Sequence, residues 1–328
     1  MDLISADSNM QDLEFIEDYS ADIEIGESDN SFDISIPSSN FNSNFQAGNV
    51  LYFPGTEFGG IIGEIKSETS ADTIHLIGYT WRGMLSKKII EPDSGTTEKS
   101  VSGDLNVILS QIIGDKFNQK IRVSTELSGT SLENYKIIGY STMLEAFNLM
   151  LQSVNFKLKI SYKQLSGTES YVEISAVPIE DYSNEIELSS DYQLNFTFDS
   201  VLNGVNHLIL INPETNEKLD LYADENGNIV DTAFYTGLKE IEEKFESSES
   251  DQDSFRQAGI DHFKEVMNRK TFSMDVESLN LDVDIGDIIG GRDYISGLYI
   301  KKPIVSKVLK IESGKISLEY EIEGEGEN

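Results

Sequence analysis

The chain has no cysteine, so disulfides, thiolate metal sites and cysteine nucleophiles are all excluded. Histidine is nearly as scarce, with only His75, His207 and His262, and tryptophan occurs once. No two histidines are spaced as paired metal ligands, and the HExxH, GxSxG, Walker A and strand-linked GxGxxG patterns are absent. Basic residues are few: 25 Lys and Arg stand against 58 Asp and Glu, for a formal charge of −33. Residues 1–65 carry thirteen acids and no base. Affinity for nucleic acid comes largely from cationic contacts, so no stable nucleic-acid binding is expected. No apolar run approaches the roughly 20 residues of a membrane helix, so no membrane insertion is expected. MDLISADSNMQDLEF lacks a basic region and a long apolar core, so no signal peptide is expected.

Period-2 alternation dominates what is present. Ile23, Ile25, Phe32, Ile34 and Ile36 alternate with acids and serines around Asp29-Asn30, which predicts a hairpin with one buried face. Strands are expected near 48–53, 60–67 and 73–80, then a linker or extended loop at Ser94–Thr97. Over 103–115 the period changes: Leu105, Ile108, Leu109 and Ile112 share a helical face between Asp104 and Gly114. A second helix is expected over 141–154 with Ser141 as N-cap, followed by strands at 156–163 and 170–177. Further strands are expected at 185–198 and 205–212, a hairpin at 217–234 turning on Asn226-Gly227, and one or two acidic helices over 237–269. Strands resume from 271 to 323. Tyr222–Ile229 carries a calcium-loop-like cluster, but an EF-hand needs an acid first and a glutamate twelfth, where this chain has Tyr222 and Ala233. It is therefore read as a turn.

One pattern occurs twice. Gly48-Asn49-Val50-Leu51-Tyr52 leads to Glu57-Phe58 and then Gly60-Ile61-Ile62; Gly286-Asp287-Ile288-Ile289-Gly290 leads to Asp293-Tyr294 and then Gly297-Leu298-Tyr299. Any meander with similar turns would look so, and so would two related domains at the two ends of the chain. The expected fold is α+β and β-dominated: two related β-barrel domains with an inserted small α/β domain and a helical segment. The expected boundaries are 1–95 for the first barrel and 96–184 for the α/β domain. The second barrel takes 185–212 and 270–323, with 213–269 an inserted hairpin and acidic helices and 324–328 a tail.

The stretches Gly55–Ile62, Ile77–Leu85, Lys88–Pro92, Leu219–Gly227 and Asp284–Ile289 with Asp293-Tyr294 resemble phage tail hub proteins of Gram-positive systems. These include the hubs of defective-prophage and R-type bacteriocin tails and related siphophage baseplate proteins. The resemblance spans nearly the whole chain and rests on turn and packing residues. It implies a homotrimer in which each subunit gives two barrels to a ring joining a six-fold tail tube to a three-fold spike. The implied partners are further copies of the chain, tail tube, spike, inner baseplate and tape-measure proteins. The implied place is the tail tip of a particle assembled in the bacterial cytoplasm. No cofactor, no bound metal and no catalysis are expected. Gly48, Gly60, Gly286 and Gly297 are candidate turn residues. Tyr79 and Trp81 either anchor a barrel edge or subunit contact or fill the core. Asp22, Glu24, Glu27, Asp29 and Asp33 are candidate channel-facing acids, an outer-surface role being equally compatible. An adhesin-like or carrier β-module, and then a peptidoglycan hydrolase, are the alternatives.

Overall fold

The computed structural model describes residues 1–26, 30–164, 170–183, 187–188, 195–201, 204–224, 227–249, 251–267, 269–275, 283–292, 299–312 and 314–322. The chain divides into two units. One comprises Met1–Ile186, Asp275–Ile289 and Pro303–Glu321; the other comprises Glu187–Met274, Gly290–Lys302 and Ile322–Asn328.

The first unit begins with β1 (Leu3–Ala6), β2 (Asp12–Ile16), β3 (Ser20–Gly26), β4 (Asn30–Pro37), β5 (Val50–Tyr52), β6 (Gly59–Glu68), β7 (Thr73–Thr80) and a short helix α1 (Trp81–Ser86). Then come β8 (Glu98–Asp104), α2 (Leu105–Ile113), β9 (Ile121–Val123), β10 (Ser131–Ile138), α3 (Met143–Gln152), β11 (Phe156–Gln164) and β12 (Ser170–Pro178). The second unit holds β13 (Glu187–Leu188), β14 (Asn195–Val201), β15 (His207–Ile211), β16 (Lys218–Ala223), β17 (Ile229–Val230), β18 (Glu242–Glu246), α4 (Gln252–Val266) and β19 (Arg269–Asp275). The last strands are β20 (Ile288–Arg292), β21 (Tyr299–Glu312) and β22 (Lys315–Ile322).

The expected hairpin is β3–β4, paired antiparallel with Ile23 opposite Phe32 and Asp22 opposite Asp33. The Asn30 side chain closes its mouth, accepting from Gly26 N at 3.1 Å and donating to Gly26 O at 2.9 Å. The hairpin belongs to a sheet that runs β22-β21-β3-β4-β7-β6-β5-β1-β2 through the first unit. Ile23, Ile25, Phe32, Ile34 and Leu76 point into the core, as period 2 requires, and the acids and serines between them point away. The β-dominated α+β class therefore stands. The barrels expected at the two ends of the chain do not: this sheet is an open path, and no strand order closes on itself among the described residues.

In the α/β part, β11 and β12 pair antiparallel and β9 joins β12 in parallel. The apolar faces of α2 and α3 meet these strands around Ile108, Phe147, Leu151, Leu158 and Val172. Asp104 caps α2 as expected: its carboxylate accepts from Asn106 N at 2.9 Å, Ser128 N at 3.1 Å, Ser128 Oγ at 2.9 Å and Gly129 N at 3.0 Å. Burial alone would raise this carboxyl, but those bonds hold it below its ordinary value. The cap of α3 is Thr142 and not Ser141, because Thr142 Oγ1 accepts from Glu145 N while the Ser141 hydroxyl turns back to Ile138 O.

In the second unit, β15 lies between antiparallel β16 and parallel β18, with β17 outside β16. Leu208 and Leu221 bury one face with Phe263 of α4. The acidic segment expected to be helical from 237 is thus a strand over Glu242–Glu246 and a helix only from Gln252, capped by Asp251. Its glutamates favour a helix, but pairing along β15 and stacking of Phe245 on His262 at 4.1 Å give a strand a better place.

Candidate functional site

Two features of the first unit organise its surface and its join. The first is the polar face of the sheet. Asp22 and Glu24 on β3, Asp33 on β4, His75 on β7 and Glu312 on β21 line a shallow hollow of about 400 Å³. Alternation puts these side chains on one face, and register brings Asp22 beside Asp33 and Lys310. His75 Nδ1 lies 2.9 Å from Asp33 Oδ1, and Lys310 Nζ lies 2.7 Å from Glu319 Oε2. Partial burial pushes the Asp22 carboxyl above its ordinary value; Lys310 opposes this, while Glu319, Asp33 and Glu312 add to it. Of the acids singled out by sequence, Asp22, Glu24 and Asp33 therefore share one face. Glu27 and Asp29 lie outside the described residues.

Tyr79 stands on the same face of β7, 47% exposed, with Lys87 Nζ 4.5 Å from its ring centre. Trp81, two residues on, is 1% exposed. It opens α1, which Thr80 caps by accepting from Gly83 N, and its ring stacks 5.9 Å from Tyr162. The pair singled out together thus divides between an exposed aromatic and a core one.

The second feature is a buried ion cluster absent from the sequence reading. Arg82 Nε donates to Glu57 Oε1, and Arg82 Nη2 donates to Leu158 O at 2.9 Å. Lys307 Nζ lies 3.2 Å from Glu57 Oε2 and 2.5 Å from Asp284 Oδ1. Burial by itself would lower Lys307, but Glu57 and Asp284 outweigh it and hold the ammonium above its ordinary value. Burial would likewise raise Asp284, but Lys307 and Arg82 hold it below. Nearby, Lys157 Nζ pairs with Asp287 Oδ2 at 2.5 Å. Residues near 57, 82 and 157 are in this way tied to residues near 284 and 307, far apart in sequence. The only sequence signal for the cluster was Arg82, a lone cation in an apolar stretch.

The glycine turns complete the picture. Gly48 (φ 93°) and Gly286 (φ 92°) both occupy the left-handed region that favours glycine. Each sits in the same hydrogen-bond frame. Gly48 N donates to Ile62 O at 2.7 Å, Ile62 N to Asn49 O at 2.9 Å, and Asn49 N to Gln46 O at 3.0 Å. Gly286 N donates to Ile304 O at 2.8 Å, Ile304 N to Asp287 O at 2.9 Å, and Asp287 N to Asp284 O at 3.0 Å. The echo holds in geometry at Gly48-Asn49 and Gly286-Asp287, but the strand partner equivalent to Ile62 is Ile304, whereas the sequence pattern sets Gly297-Leu298-Tyr299 against Gly60-Ile61-Ile62. Gly60 is not at a turn: it lies within β6, where a Cβ would come 2.1 Å from Tyr79 O. Gly297 lies outside the described residues.

This fold is that of phage tail proteins. The chain is similar to the 43 kDa tail protein of prophage MuSo2 from Shewanella oneidensis, with 12% identity over 98% of each chain and a TM-score of 0.55. It is similar to a tail protein from Neisseria meningitidis MC58, with 12% identity over 98% of this chain and 96% of that one and a TM-score of 0.54. A third is prophage tail protein gp18 from Listeria monocytogenes, with 13% identity over 100% and 96% and a TM-score of 0.51. No family model and no curated protein matches. The resemblance drawn from turn and packing residues holds at the level of fold.

Proposed function

We propose that the chain is a structural subunit of a phage-like tail, and specifically the trimeric hub that joins a six-fold tail tube to a three-fold spike. The observation that carries this reading is the repeated turn: Gly48–Asn49 and Gly286–Asp287 hold equivalent frames near opposite ends of the chain. Two related elements per chain let three chains present six equivalent positions, which is the geometric requirement of such an adaptor. The boundaries at 1–95 and at 185–212 with 270–323 remain our proposal for the two elements. In this reading the Asp22, Glu24 and Asp33 face lines the channel and repels passing nucleic acid, and Tyr79 lies at its rim. The partners are further copies of the chain, tube, spike, inner baseplate and tape-measure proteins. The role is structural and not catalytic. Cryo-microscopy of the particle that contains the chain tests it. Three copies around a central channel, each giving two ring positions, are expected. Six copies at that level, or a location on outer fibres, would overturn the assignment.

A further inference from the structure

Strand pairing in the second unit gathers a mixed donor set. His207 on β15 stands in register with Glu242 on parallel β18, and Asp220 on β16 belongs to the same face, opposite α4. Glu240 approaches from the segment just before β18. The His207 side chain is 9% exposed and stacks 4.3 Å from Tyr222. Its Nε2 meets Asp220 Oδ1 at 3.0 Å, while its Nδ1 meets Glu240 Oε1 at 3.0 Å and Glu242 Oε1 at 3.2 Å. Lys218 Nζ reaches the same Asp220 oxygen at 2.9 Å.

Asp220 faces Nε2, and the Glu240 and Glu242 oxygens converge on Nδ1. A cation held between Nδ1 and these two carboxylate oxygens would offset the negative charge gathered there. A carboxylate accepting from the far nitrogen is also the usual way that a metal-ligating imidazole is oriented. The spacing fits an ion. Donors about 2.1 Å from one centre lie about 3.0 Å apart in octahedral and about 3.4 Å apart in tetrahedral geometry. The three donor atoms here all lie within 4.8 Å of one another.

We propose that His207, Glu240 and Glu242 form a site for a divalent transition-metal ion, with Asp220 orienting the imidazole and water completing the coordination. One nitrogen and two carboxylate oxygens favour Zn²⁺ over Ca²⁺ or Mg²⁺, which take all-oxygen sets. The ion would clamp the chain around Glu240 onto β15, a structural role that does not depend on the hub reading. It would also place a metal in a chain whose sequence leads none to be expected.

The test is calorimetric titration of Zn²⁺ into the metal-stripped full-length chain at pH 7, beside Glu240→Gln/Glu242→Gln and Glu243→Gln. Both glutamates are partly exposed, so the double variant should fold, which circular dichroism checks. One tight site per chain is expected. The double variant should weaken it at least tenfold, Glu243→Gln should leave it unchanged, and a hundredfold excess of Ca²⁺ should not displace the ion. In the Co²⁺-loaded chain, a ligand-field band should be lost in His207→Gln. Identical isotherms for the parent and the double variant, Ca²⁺ displacement, or no binding at millimolar Zn²⁺ would overturn the proposal.

Discussion

Glu57 is the shared carboxylate of the buried cluster, and Glu57→Gln is the perturbation that weighs the cluster most directly. Arg82 is 1% exposed, and Lys307 is buried beside it. The substitution keeps shape and an acceptor oxygen but removes the negative charge that Arg82 and Lys307 share. Removing one member of a buried ion pair costs about 3–5 kcal/mol, because the partner stays desolvated without compensation. Trp81 is the only tryptophan, adjoins Arg82 and belongs to the first unit, so its fluorescence during urea unfolding reports that unit. Glu57→Gln should lower its unfolding free energy by about 3–5 kcal/mol. The double variant Glu57→Gln/Lys307→Met restores balance, leaving Arg82 with Asp284, and should recover about 1–3 kcal/mol relative to additivity. A loss under about 1 kcal/mol, or strict additivity, would refute the argument that the cluster is held by mutual charge compensation. The pH dependence has a definite sign. Asp284 sits below its ordinary 3.8, so its contribution is present above that value and lost as pH falls through its folded pKa. Lys307 sits above its ordinary 10.5, so its contribution is complete below that value and lost as pH rises through its folded pKa. The pair therefore supports the unit across the interval between them and fails outside it.

Gly78→Ala should disrupt β6–β7 pairing and lower the Trp81-detected melt sharply, because the new Cβ would lie 2.0 Å from Ile61 O. Gly48→Ala meets nothing within 4 Å and should cost only about 1–2 kcal/mol for its left-handed φ. Similar melts for the two would refute the distinction. Asp104→Ala should cost about 1–2 kcal/mol in urea unfolding through loss of the α2 cap, and the difference from the parent should vanish at acid pH, where the carboxylate is protonated. Asp22→Asn should raise the melting midpoint slightly at neutral pH and low salt. The carboxyl's raised pKa means that its charged form costs stability above its ordinary pKa, and added salt should reduce only the part of the gain that comes from repulsion by Glu319, Asp33 and Glu312, leaving the part due to burial.

The sequence made strands legible where one face is buried and the other polar, as in β3 and β4, because alternation states both the period and the face. Helices α2 and α3 were legible for the same reason, with Asp104 and Gly114 as punctuation. Two kinds of feature stayed hidden. Helix α1 is six residues long, too short to show a period, and begins directly after β7. Strand β18 is acidic and helix-favouring on its own, and only its long-range pairing with β15 makes it a strand. The ion cluster was hidden by distance: Glu57, Arg82, Asp284 and Lys307 meet only because the chain returns to its first unit after residue 274. Among the candidate residues, Asp22, Glu24 and Asp33 share one face of the sheet, as the period-2 pattern of their strands requires, whereas Tyr79 is exposed and Trp81, two residues on, is buried by the turn of the chain into α1.

The two glycine turns bear on why so different a pair of sequence neighbourhoods should share one geometry. A turn frame of three hydrogen bonds at matching positions needs a residue at positive φ, a following polar residue and a strand partner that both donates and accepts. Ile62 and Ile304 play that last part with the same atoms. Only the first of these requirements is visible as a fixed residue type, which is why the echo reads faintly in sequence. The two turns are also loaded differently. Around Gly48 the neighbouring space is open, whereas a Cβ at Gly286 would come 3.0 Å from Lys157 Cβ, and Asp287 is paired with Lys157 and accepts from Glu180 N. The second turn is therefore built into the α/β part of the first unit, and the first is not. If the frames descend from one repeated element, exchanging Asn49 and Asp287 should be asymmetric. Asn49→Asp should be nearly neutral, while Asp287→Asn removes the buried charge opposite Lys157 and should cost about 3–5 kcal/mol in Trp81-detected unfolding. Equal costs would mean that the turns are held by their backbone frames alone.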